Sequence, residues 1–352
     1  MEPTPSTFHS IQLLRALAAL LVVLFHTHTA FSEAGSDLLF GDEAYVFAFG
    51  AVGVHIFFVI SGFIMVVTSR FEPSFQPFEF MRRRLLRIYP VYWICAALYL
   101  AYHTFLGEPY DISIGQIAGA LLLWPGYASS IVGPAWTLAY EMFFYLSFAL
   151  AMALGLTRGL VVLASTFAIL IVLGLVFDPG SPALHLATNS LLAEFVGGMA
   201  IGWLLKQNAL PKWPAGYWIA LAVALFVGGA WYGFSRLPSA MVWGVPSILL
   251  VLGAVCWELQ HDALKITRLL SILGDSSYSL YLVHILLITL ALEVWKVAPA
   301  GIGNNALAMT AIVSGICVVV AEMFHRGVER PLLRRLNPRR SPLPLRQSGQ
   351  AS

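Results

Sequence analysis

Residues 9 to 28 read HSIQLLRALAALLVVLFHTH, an apolar run interrupted by an arginine at position 15 and a histidine at position 26. A helix of roughly twenty such residues covers the hydrocarbon core of a bilayer. Similar runs recur along nearly the whole chain. Of its 352 residues 59% are hydrophobic and only 11% charged, too little polar surface to wrap a soluble globule of this size. The fold class is therefore all-α, a polytopic integral membrane protein with about ten transmembrane helices. The spans are expected near residues 11 to 31, 46 to 68, 87 to 105, 133 to 155, 159 to 177, 187 to 206, 216 to 233, 239 to 257, 276 to 296 and 304 to 326. IGQIAGALLLW, residues 114 to 124, is too short to span and is expected to be re-entrant or interfacial. Arg15 sits inside the first run and no small-residue cleavage pattern follows it, which argues against a secretory signal. Cys95, Cys256 and Cys317 are isolated in or beside apolar segments, so neither a disulfide framework nor a metal site is expected.

With the N-terminus in the cytoplasm, 17 of the 20 Lys and Arg residues fall in cytoplasmic loops or the tail, seven of them between Arg326 and Arg346. The first outer loop carries only acids, Glu33, Asp37, Asp42 and Glu43. The positive-inside rule then places both termini in the cytoplasm. Residues 1–335 are expected to form one membrane domain. Residues 336–352, rich in proline, arginine and polar residues, are expected to be a disordered cytoplasmic tail within reach of anionic lipid headgroups. No nucleic-acid partner is expected, and the oligomeric state is open.

An ionisable side chain within a span is costly and is by default a functional candidate, which selects Arg15, His26, His55, Glu141, Glu194, His284 and Glu322. For Glu194 and Glu322 a paired structural role competes equally. Eleven residues separate Arg15 from His26, three helical turns plus roughly 20°, so the two share a face with an axial rise of about 16 Å. Arg15 then lies near the cytoplasmic entrance and His26 in the outer half. His28, rotated to roughly the opposite side, reads as an interfacial histidine.

Four further blocks add polar groups. In FMRRRLLRIYPVYW, residues 80 to 93, Arg83 and Arg87 are four apart, a fork suited to phosphate oxygens, with Arg84 beside them. Tyr89, Tyr92 and Trp93 then form an aromatic belt or, alternatively, stack on a purine. In GPAWTLAYEMFFY, residues 133 to 145, Glu141 is expected at a depth comparable with His26, where it either orients a histidine or is a paired structural group. Trp136 lies nearer the outer surface as a candidate substrate contact. GAVGVHIFFVISGFIM, residues 50 to 65, supplies Ser61 and His55, the latter a further candidate substrate contact. In GDSSYSLYLVHILL, residues 274 to 287, Tyr278, Tyr281 and His284 recur at three-residue spacing on one stripe, which favours a polar cavity and further substrate contacts.

Together these blocks resemble acyltransferase family 3, integral membrane proteins that O-acylate exopolysaccharides, lipopolysaccharide O-antigens, Nod factors and some antibiotics. The resemblance rests on Arg15, ten residues, then His26; on GVHIFFVISGF; on the basic run ending in RIYPVYW; and on WTLAYEMFFY, SYSLYLVH and the ERP of Glu329 to Pro331. These stand in the family's order over roughly residues 9 to 335. The resemblance implies an acyl-CoA donor, usually acetyl-CoA, approached from the cytoplasm of a bacterial inner membrane, and a glycan or lipid-linked saccharide acceptor at the outer side. It also implies that Arg15 and His26 are required. Many relatives carry an aspartate where this chain has His55, so no carboxylate role is carried over to that position. No soluble esterase-like domain is expected after the membrane part, which favours a stand-alone exopolysaccharide type.

Two mechanisms stay open within that reading. Neutral His26 removes the proton from the acceptor hydroxyl, with Glu141 as orienting partner, or His26 forms an acyl-histidine intermediate. From another class, a transporter or flippase would use the same Arg, His and Glu side chains to move an anionic or glycan substrate unchanged.

Overall fold

The computed structural model describes residues 8–36, 43–69, 75–106, 111–232, 238–261, 271–298 and 305–336. Asp37, Asp42, Arg70, Arg236, Lys265, Arg268 and the expected tail beyond Leu336 lie outside the described residues, so part of the charge census does too.

Among the described residues there are helices and turns and no strand. In chain order the helices are α1 (His9–Glu33), α2 (Glu43–Ala48), α3 (Val52–Thr68), α4 (Pro77–Phe105), α5 (Ile114–Leu121), α6 (Trp136–Met152) and α7 (Leu156–Val176). They continue as α8 (Pro182–Ala187), α9 (Leu192–Lys206), α10 (Ala215–Tyr232), α11 (Val245–Gln260), α12 (Ser277–Lys296), α13 (Ala306–Phe324) and α14 (Arg330–Leu336). Joined where neighbours run on through tight turns, they make nine stretches long and apolar enough to cross a membrane among the described residues. The tenth expected span, near residues 216 to 233, is the shorter apolar helix α10, whose apolar stretch is Ala215–Trp231. α7 turns Val161, Ile169, Val172, Leu175 and Val176 outward, all more than half exposed. A surface of that kind is solvated by lipid tails.

Because lipid tails are as apolar as leucine, spanning helices associate through close van der Waals packing at small residues. The crossing of α3 with α9 shows this. A Cβ at Gly62 would fall on the carbonyl oxygen of Phe195, and one at Gly198 on that of Val59. The two backbones touch there. α1, the helix of Arg15 and His26, is enclosed by α3, α11, α12 and α13.

The segment expected to be re-entrant is α5, eight residues and so roughly 12 Å long. Ser113 and Gln116 close its N-terminus in a reciprocal capping box. At its other end the carbonyls of Ala120, Leu121 and Leu122 accept from Tyr92 Oη (2.8 Å), Trp93 Nε1 (2.9 Å) and Tyr89 Oη (2.9 Å) of α4. A helix end away from water needs such partners. The aromatic run of α4 thus directs its polar hydrogens to the end of α5.

Candidate active site

α1 starts against a carboxylate. Glu258 of α11 accepts from the amides of His9 (2.7 Å) and Ser10 (2.8 Å) and from the Ser10 hydroxyl. Orphan amides are thereby satisfied by negative charge at the positive end of the helix dipole. One turn later Gln12 Nε2 donates to Asp275 Oδ1 (2.8 Å), and Gln12 Oε1 accepts from Arg15 Nη1 (2.9 Å). Asp275 and Gln12 together hold the Arg15 guanidinium in place.

Arg15 lines a cavity of about 320 Å³ between α1, α3, α4, α6 and α12. Its wall runs along α3 from Thr68 to Val54, an axial length of about 20 Å. At the Thr68 end Arg84 Nη2 donates to Thr68 Oγ1 (3.3 Å), and its guanidinium lies 5.3 Å from the ring centre of Phe80 and 5.7 Å from that of Tyr145. Arg87 joins the same wall. Glu141 is also in it and accepts from Ser61 Oγ (2.6 Å). Three guanidinium groups thus face a single carboxylate, an environment that favours an anionic ligand.

The fork in this wall is Arg84 with Arg87. Arg83 instead approaches Glu79 on the exposed side of α4, at 3.4 Å. Phe80, Ile88 and Tyr92 are the buried stripe of α4, and Arg84 falls on it at four-residue spacing while Arg83 does not.

Farther along α1, His26 Nδ1 is 2.9 Å from the carbonyl oxygen of Val22 and 3.4 Å from Nε2 of His284. His284 Nδ1 is 2.8 Å from the carbonyl oxygen of Tyr281 and 3.2 Å from that of Leu280. Carbonyl oxygens only accept, so the hydrogen of neutral His284 is on Nδ1 and its Nε2 is a lone pair. The same reasoning puts the hydrogen of neutral His26 on Nδ1. His26 Nε2 is left with the basic lone pair.

His284 therefore stands where Glu141 was expected, as the neighbour of His26. Glu141 belongs with Ser61 and the arginine cavity because α6 presents Thr137, Leu138 and Glu141 to that cavity. His28 is buried and stacked on Phe47, ring centres 4.1 Å apart.

Tyr278 and Tyr281 both line the cavity, with Tyr278 Oη donating to the carbonyl of Ile88 (2.9 Å). The Tyr281 ring is 6.1 Å from Phe57 and 5.8 Å from His284, centre to centre. His55 lies apart from these groups. It is buried, its Nδ1 bonds Glu194 Oε1 of α9, and its ring lies 23° from parallel to that of Trp243. Trp136 lines a separate groove with Tyr140 and His185 on the other face of α6. Glu322 pairs with Arg326, and Glu329 of the ERP block is buried and accepts from Ser279 and from His325 Nδ1 (2.9 Å). Among the described residues no three His, Cys, Asp or Glu side chains converge as a metal site would need. Sequence reasoning missed Gln12, Asp275, Thr137 and Glu258. Gln12 stands one turn before Arg15, the only local signal among them.

Residues 8–322 match the model of a family described as an acyltransferase domain. The chain is 33% identical over 308 residues to the exopolysaccharide production protein ExoZ of Rhizobium meliloti (strain 1021), covering 84% of this chain and 93% of that protein. It is 31% identical to the putative membrane-bound transacylase BcsY of Komagataeibacter xylinus, over 77% of this chain and 70% of that protein. To the peptidoglycan O-acetyltransferase OatA of Listeria monocytogenes it is 24% identical, over 92% of this chain and 55% of that protein. No solved structure matches the chain.

Proposed function

Given that the chain belongs to the acyltransferase domain family matched across residues 8–322, we propose that it transfers an acetyl group from acetyl-CoA to a glycan hydroxyl. The donor arrives from the cytoplasm at the Arg84 and Arg87 end of the cavity. The acceptor is an exopolysaccharide or a lipid-linked precursor of one, met on the other side of a bacterial inner membrane. The names of ExoZ and OatA support a glycan acceptor, and the positive-inside rule supports the orientation.

The observation that carries this reading is the placement of His26 Nδ1 2.9 Å from the carbonyl oxygen of Val22, with His284 Nε2 beside it at 3.4 Å, which leaves Nε2 as the ring nitrogen available to act as a base. A base needs a free lone pair and a fixed ring. Arg15, Arg84 and Arg87 supply the charge that coenzyme phosphates require, and Glu141 balances them while it holds Ser61. Arg15 lies one side of the path and His26 the other on one helix face, separated by about 16 Å, which suits an extended pantetheine arm. His26 Nε2 takes the acceptor hydroxyl proton, the oxygen attacks the thioester carbonyl, the C–S bond breaks, and His26 returns the proton to the leaving thiolate.

The test uses the purified protein in proteoliposomes with acetyl-labelled acetyl-CoA and an oligosaccharide from the host's exopolysaccharide. Wild-type protein is expected to label the sugar, and His26→Ala to lose that activity while still binding coenzyme A. Sugar that crosses the vesicle membrane unlabelled, or His26→Ala at full activity, overturns the reading.

A further inference from the structure

The buried hydroxyls of Tyr281 on α12 and Thr137 on α6 are 2.9 Å apart, and each is also 3.1 Å from the carbonyl oxygen of Pro134. Three close oxygens share two hydroxyl hydrogens, in a place where water is scarce. Both side chains line the arginine cavity. Tyr281 has a second connection, because its backbone carbonyl takes the His284 Nδ1 hydrogen at 2.8 Å. It is thus shared between the donor cavity and the pair of histidines.

We propose that Tyr281 is a catalytic residue whose hydroxyl, positioned by Thr137, hydrogen-bonds the thioester carbonyl oxygen as the acceptor attacks. This rests on the acetyl-transfer reading above. The hydroxyl now faces an amide carbonyl, that of Pro134, and a thioester carbonyl is an acceptor of the same kind. A thioester carbonyl is the weaker acceptor in the ground state, whereas the negative charge that develops on its oxygen as the acceptor attacks strengthens the new bond. Arg15 is held by Gln12 toward the start of α1, about three turns before His26, so it is placed for the donor's phosphates rather than its carbonyl.

The chemical step balances without a further reagent. The acceptor O–H proton goes to His26 Nε2, the O–C bond forms, the C–S bond breaks, and the thiolate receives the proton from His26. Tyr281 keeps its own hydrogen throughout.

Tyr281→Phe deletes one oxygen and leaves the ring against Phe57 and His284. In the proteoliposome assay its kcat is expected to fall roughly 100-fold, the usual loss for an oxyanion donor, with the KM for acetyl-CoA near the wild-type value. Thr137→Val is expected to lose part of the rate and Thr137→Ser to recover it. A purely structural role would lower the melting temperature and the folded fraction instead. A second readout avoids turnover: in His26→Ala protein, the infrared carbonyl stretch of bound acetyl-CoA labelled at the carbonyl carbon is expected to lie lower than in the His26→Ala, Tyr281→Phe double variant. Wild-type kcat in Tyr281→Phe, or identical carbonyl bands, overturns the inference. If His26→Ala is inactive while Tyr281→Phe is not, the acetyl-transfer reading survives and only this role fails.

Discussion

Nε2 of His284 lies 3.4 Å from Nδ1 of His26, and the far nitrogen of His284 is committed to two backbone carbonyls. His284 is fully buried, and its Nε2 lies beside the His26 Nδ1 hydrogen that the carbonyl of Val22 accepts at 2.9 Å. On the acetyl-transfer reading proposed above, His284 would position His26 rather than remove the proton itself. His284→Phe is expected to lower kcat by less than His26→Ala, whose loss should reach about 10² to 10⁴-fold. His284→Gln, which retains an accepting oxygen, should fall between wild type and His284→Phe. Equal losses in His26→Ala and His284→Phe would assign the two rings equal chemical roles and remove the distinction.

Arg84 and Arg83 are adjacent in sequence and differ in surroundings. Arg84 contributes to the cavity wall, while Arg83 approaches Glu79 where both side chains are nearly half exposed. Replacing one charge-assisted contact to a phosphate costs about 1.5 to 3 kcal/mol, so Arg84→Met should raise the KM for acetyl-CoA roughly tenfold or more, and high salt should blunt the difference. Arg83→Met should shift it by less than about twofold, since exposed ion pairs contribute little. Steady-state kinetics on the two variants decide the matter, and the reverse order would return the phosphate fork to Arg83 and Arg87.

The contrast between these arginines shows what a sequence of this type discloses. The spans are legible because apolar length is a one-dimensional property, and the eight-residue α5 is legible for the same reason. So is the common face of Arg15 and His26, which needs only the helical period. Arg84 could not be chosen over Arg83 in this way, because α4 mixes basic and apolar residues on every side and its buried stripe of Phe80, Ile88 and Tyr92 is set by its neighbours. Glu141 was placed by depth alone. Its actual partner, Ser61, depends on the rotation of α6 against α3, a tertiary fact. That the polar atoms of Tyr89, Tyr92 and Trp93 meet the end of α5 was not legible either, because nothing local says that α5 ends against them.

Gly198 and Gly315 provide a matched pair for stability. A Cβ at Gly198 would strike the backbone of Val59 and Phe63, which cannot rotate away, whereas one at Gly315 meets nothing within 4 Å. Gly198→Ala should lower the thermal midpoint in detergent, by an amount corresponding to about 1 to 3 kcal/mol of overpacking. Gly315→Ala should leave the midpoint unchanged or raise it slightly, because alanine is the better helix former. Indistinguishable midpoints for the two variants would mean that α3 and α9 separate at little cost.

His55 and Glu194 form a buried pair joining α3 to α9, with the Trp243 ring 6.2 Å from that of His55, centre to centre. Deleting one member leaves the other buried without its partner, which costs about 3 to 5 kcal/mol, whereas replacing both with apolar groups of similar size is often neutral. His55→Leu and Glu194→Leu should therefore each reduce the yield of folded protein and its thermal midpoint, and the double variant should recover much of both. His55→Asp should be as harmful as His55→Leu or worse, since it sets two carboxylates against each other unless one takes up a proton. A double variant that is as unstable as the sum of the single ones would show that the two side chains act independently. Full stability with lost acetyl transfer in the double variant would instead move the pair from holding the helices together to acting on the substrate path.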